Sequence, residues 1–73
     1  MAEKTNELTK LVTIATDLQL AAELRTKAIQ QIGSLGTHEA LLALLNLAAN
    51  TGLIRVEREL ALKHARELIK SAE

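Results

Sequence analysis

The segment Gly33-Ser34-Leu35-Gly36-Thr37 constrains this chain more than any other stretch. On its N-terminal side Ala21, Leu24, Ala28, Ile32 and Leu35 recur at spacings of three and four, with Ile29 beside them. That period places them on one face of an α-helix. On its C-terminal side a run from about His38 to Asn50 is apolar nearly all round, as expected of a helix covered on several sides. Glycine accepts the left-handed backbone conformation that closes a helix, so Gly33 and Gly36 are expected to end the first of these segments. The Thr37 hydroxyl is expected to cap the second. Two helices joined this tightly must fold back on each other.

The rest of the chain reads as helix too. It holds no proline, and strand alternation is absent from the sequence. A first helix is expected from about Thr5, its cap, to Thr16, with Leu8, Leu11, Val12, Ala15 and Leu18 on one face. Thr16-Asp17-Leu18-Gln19 fits a capping box that would start the next helix at once. Asn50-Thr51-Gly52 should stop the third helix, which makes Gly52 a further structural turn residue. A fourth runs from about Leu53 to Ser71, with Ile54, Ala61, Ala65, Leu68, Ile69 and Ala72 on its stripe. Arg55, Glu59, Lys63, Arg66 and Lys70 lie opposite, and Glu59 stands four residues before Lys63, an attractive spacing. With 73 residues, the chain makes one domain, 1–73.

An internal repeat is visible. Shifted by 33 residues, Leu8 meets Leu41, Leu11 meets Leu44, Val12 meets Leu45 and Asp17 meets Asn50. For the second helix a shift of 37 brings Ala28 onto Ala65, Ile32 onto Ile69 and Leu35 onto Ala72. The chain thus reads as two copies of one helical hairpin, at about 5–36 and 37–72. Leu24-Arg25, Ala28-Ile29, Ile32-Gly33, Leu35-Gly36 and Glu39-Ala40-Leu41 follow an order that resembles the HEAT-like repeat, in particular the type first noted in phycobilin lyases. The resemblance is close over residues 24 to 48 and looser elsewhere. It implies an all-α fold of two stacked hairpins in an α-α superhelix. It also implies a scaffold or adaptor role, or an accessory or lyase-related part that assists a cofactor-handling enzyme.

The residues present exclude several chemistries. Without cysteine there is no disulfide and no thiolate metal site. Without aromatic residues there is no platform for base stacking. His38 and His64 have no partners at a spacing that marks a zinc site, so no metal and no cofactor is expected. Ser34 and Ser71 have no histidine placed to activate them, so no catalytic residue is expected. Lys plus Arg equals Asp plus Glu at nine each. Seven of the nine basic residues fall on the second and fourth helices, but Glu23, Glu57, Glu59 and Glu67 interleave with them. Nucleic-acid binding needs a denser field, and a small polyanion site ranks below a protein partner. The start MAEKTNEL has no apolar signal core, and the longest apolar run is Ala40 to Leu45, so a cytoplasmic, non-membrane protein is expected. Leu42, Val56, Leu60 and Leu62 spread apolar surface beyond the central stripes. They are the expected contacts of a homodimer or a protein partner, identity open, which would make the chain a non-enzymatic interaction module.

Overall fold

A computed structural model describes the backbone of residues 2–72 and the side chains of residues 7–71. Four helices follow in order: α1 (Ala2–Thr16), α2 (Ala22–Leu35), α3 (His38–Ala48) and α4 (Arg55–Ala72). No strand occurs among the described residues. The helices pack most extensively as the pairs α1 with α2 and α3 with α4, and α2 is the element that joins the two pairs, through α4 and α3. The core runs between the hairpins: Ala15 from α1, Ala28, Ile29 and Ile32 from α2, Ala40, Leu44 and Leu47 from α3, Leu53 from the last corner, and Ala61 and Ala65 from α4. Alanine at five of these ten positions lets helix axes come close.

The helix boundaries correct several expectations. α1 starts at Ala2, so Thr5 falls inside the helix and is not its cap; the side chains of Glu3, Lys4, Thr5 and Asn6 lie outside the described residues. Thr16-Asp17-Leu18-Gln19 is not a capping box. Thr16 is the last residue of α1, and its hydroxyl donates back to the Val12 carbonyl. Asp17 instead accepts from the Gln19 amide at 2.9 Å, a side-chain turn that offers the backbone an alternative to the helix. α2 begins five residues later than that box implied, with Ala21 at its cap and no capping side chain.

The glycines divide their work differently from expectation. Gly36 closes α2 with φ 66°, the conformation glycine tolerates. Gly33 does not end the helix; it lies within α2, where His64 of α4 crosses it so closely that a Cβ would stand 2.8 Å from Nδ1. Gly52 has no positive φ. Its amide donates to Asn50 Oδ1 at 2.8 Å, the same local turn as at Asp17. Thr37 caps α3 by accepting from the Ala40 amide at 3.0 Å.

The two corners and the starts of α2 and α4 correspond at a spacing of 33, not 37. Leu20 donates to the Asp17 carbonyl as Leu53 does to that of Asn50. Ala21 accepts from Leu24 and Arg25 as Ile54 does from Glu57 and Arg58. α2 and α4 start at Ala22 and Arg55. Buried Ala28 and Ile32 therefore match buried Ala61 and Ala65. The shift of 37 scored apolar identity, and α4 is rotated from that reading: Ile54 and Ile69 are exposed, while Glu57 is 1% exposed. Leu18 and Leu24, placed on stripes by spacing, are exposed as well.

Candidate interaction surface

Arg25 and Glu57 are the buried charges among the described residues. Arg25 sits on the inward arc of α2 with Ala28, Ile29 and Ile32, and Glu57 sits on that of α4 with Ala61. Arg25 Nε donates to Glu57 Oε2 at 2.9 Å, and Nη1 donates to the Leu20 carbonyl at 2.6 Å. Hairpin one thus meets hairpin two through a charged pair set in an apolar seam. Glu57 Oε1 is buried there without a hydrogen-bond partner. Sequence reasoning missed this pair. The signal was available, since residues 25, 28, 29 and 32 follow helical spacing and the arginine falls within the apolar series.

The 33-residue register carries this seam onto the outer side of hairpin two. Arg58 matches Arg25, Leu62 matches Ile29, and Ala48 matches Ala15. In hairpin one all three are buried, Arg25 against Glu57 of hairpin two. In hairpin two all three are half-buried, and they line an open cleft with Arg55 and Glu59. Arg58 Nε is buried in it without a hydrogen-bond partner. Leu45 of α3, which matches Val12, is exposed beside this face. Arg55 Nε donates to Glu59 at 3.0 Å, so Glu59 pairs backward with Arg55 rather than forward with Lys63.

The four expected contact residues do not form one patch. Leu42 is 48% and Val56 69% exposed. Leu60 packs against the core. Leu62 lies in the cleft. Positions two apart on a helix point about 200° from each other, so Leu60 and Leu62 flank α4 on opposite sides. Leu42 joins Leu45 and Ala49 on the exposed side of α3, so that helix is covered less than its all-round apolarity implied. Asn46 is exposed on the same side.

His64 Nδ1 lies 3.5 Å from Glu67 Oε1, and His38 is exposed at the start of α3. No group of three metal-binding side chains occurs among the described residues. None of their helices is long and apolar enough to cross a membrane. No family model matches the chain, and neither a curated protein nor a solved structure matches it at a significant level.

Proposed function

We propose that this chain is a non-enzymatic, HEAT-like helical module that binds another protein through the outer face of hairpin two. One observation carries the reading: Ala15, Arg25 and Ile29, buried in hairpin one, have counterparts in hairpin two that are left half-buried, Ala48, Arg58 and Leu62, with Leu45 exposed beside them where its counterpart Val12 is half-buried. Repeat stacks bury each unit against its neighbour, so an uncovered unit face is where a further surface fits. The 33-residue correspondence of the corners and of the starts of α2 and α4, with the glycine-closed α2, supports the HEAT-like reading of the stack.

The test uses the full chain as bait in native lysate, beside variants with Leu45→Glu or Leu62→Glu. Both side chains point away from the core, so far-ultraviolet circular dichroism should stay helical. A specific protein held by the parent chain and lost from both variants is the expected result. Equal capture by all three chains, or none by any, refutes the reading.

A further inference from the structure

The outer face of hairpin two has a chemistry as well as a shape, and the inner seam shows what completes it. Arg25 Nε, on the inner seam, is satisfied by a carboxylate that arrives on a helix otherwise presenting alanine and leucine: Glu57, with Ala61 and Leu68. Arg58 stands in the matching place on α4, flanked by Leu62 and Ala48, and its Nε is buried with nothing to bond. A buried N–H without an acceptor costs about 1–3 kcal/mol. A carboxylate supplied to it recovers that cost as a charge-assisted bond.

The rim is basic on balance. Arg66 occupies the place that Gly33 holds on α2 and is exposed. The face therefore offers Arg55, Arg58 and Arg66 against Glu59, which is already engaged by Arg55. From this geometry we infer that the outer face of α4 binds an acidic amphipathic helix of a partner protein, with one carboxylate inside its apolar stripe for Arg58 and another at its edge for Arg66. The inference rests on the interaction reading above and names the partner's chemistry.

A second copy of this chain does not meet the requirement. Stacked in the same register, it would bring Leu24 to Arg58, because Leu24 is the counterpart of Glu57, and Gln31 to Arg66, because Gln31 is the counterpart of His64. The apolar middle, Leu62 and Ala48, favours a helix over a phosphate backbone, which gains nothing from burying leucine.

The mismatch supplies the probe. Leu24 and Gln31 are exposed, so Leu24→Glu with Gln31→Glu alters the presenting face without touching the core. The doubly substituted chain should self-associate head to tail at least about tenfold more tightly than the parent, seen by light scattering as mass that climbs with concentration. Adding Arg58→Gln to it should return the mass to that of the parent. The inference is overturned if the double substitution leaves the mass unchanged, or if Arg58→Gln leaves the increase intact. It is also overturned if the parent binds a fluorescent single-stranded oligonucleotide in a salt-sensitive way that Arg58→Gln abolishes. No outcome depends on a lysate partner, so failure here and failure of the interaction reading stay distinguishable.

Discussion

Replacing Arg25 by methionine keeps most of the volume of its stem but removes the cation that Glu57 faces. The carboxylate is 1% exposed, and Oε1 already lacks a partner, so the change leaves both oxygens unbonded in an apolar seam. Breaking a buried pair from one side costs about 3–5 kcal/mol. A domain of this length holds roughly 4–11 kcal/mol in all. The variant should therefore sit near the edge of folding, with a melting temperature at least about 12 °C lower. Glu57→Leu should cost less, about 1–3 kcal/mol, because Arg25 keeps its bond to the Leu20 carbonyl. The double variant buries no charge, and its stability should exceed that of either single variant. Urea unfolding followed by far-ultraviolet circular dichroism is the assay, since a chain without aromatic residues gives no intrinsic fluorescence to follow. If the two single losses simply add in the double variant, or if Arg25→Met costs less than about 1 kcal/mol, the pair behaves as a solvated surface pair and the reasoning fails.

Gly33→Ala should destabilise the domain although alanine is the better helix former by about 1 kcal/mol. The new methyl would stand 2.8 Å from Nδ1 and 3.2 Å from Cβ of His64, and such crowding costs about 1–3 kcal/mol. His64→Ala in the same chain should reverse the sign, as read by the urea midpoint; an unchanged loss would place its cause elsewhere. Gly36→Ala should cost about 1 kcal/mol or more through its positive φ alone. Beyond its chain neighbours nothing lies within 4 Å of its added carbon, so His64→Ala should not relieve it; relief would show that the two glycines share one constraint.

Helix number and order were legible because apolar spacing, glycine and the Thr37 cap agree there. Orientation was less so. Ile54 and Ile69 looked like core by hydrophobicity, whereas small Ala61 and Ala65 and charged Glu57 hold the inward arc of α4. A stripe built from the largest apolar residues points a helix the wrong way when the packing needs small ones. The corners misled for a different reason. Asp17 and Asn50 each accept from an amide two residues on, so the aspartate that follows α1 makes a turn where the pattern suggested a new helix. The candidate face was half legible: Leu62 was singled out, but Arg58 gains its meaning from Arg25 and Glu57, a contact 32 residues apart that no local pattern displays.

That separation also orders events in time. Each hairpin closes over a connection of a few residues, so α1 with α2, and α3 with α4, can find each other early, as chains rich in local contacts do. The contact of α2 with α4 that carries the ion pair closes across a much longer stretch, 32 residues from Arg25 to Glu57. Its ion pair holds nothing until both groups have shed water and the surrounding alanines and leucines have met. An interaction that matures so late contributes little to the rate of folding and mainly slows the reverse step. The charged seam thus works as a brake on opening, and the domain's lifetime depends on it more than its speed of assembly does.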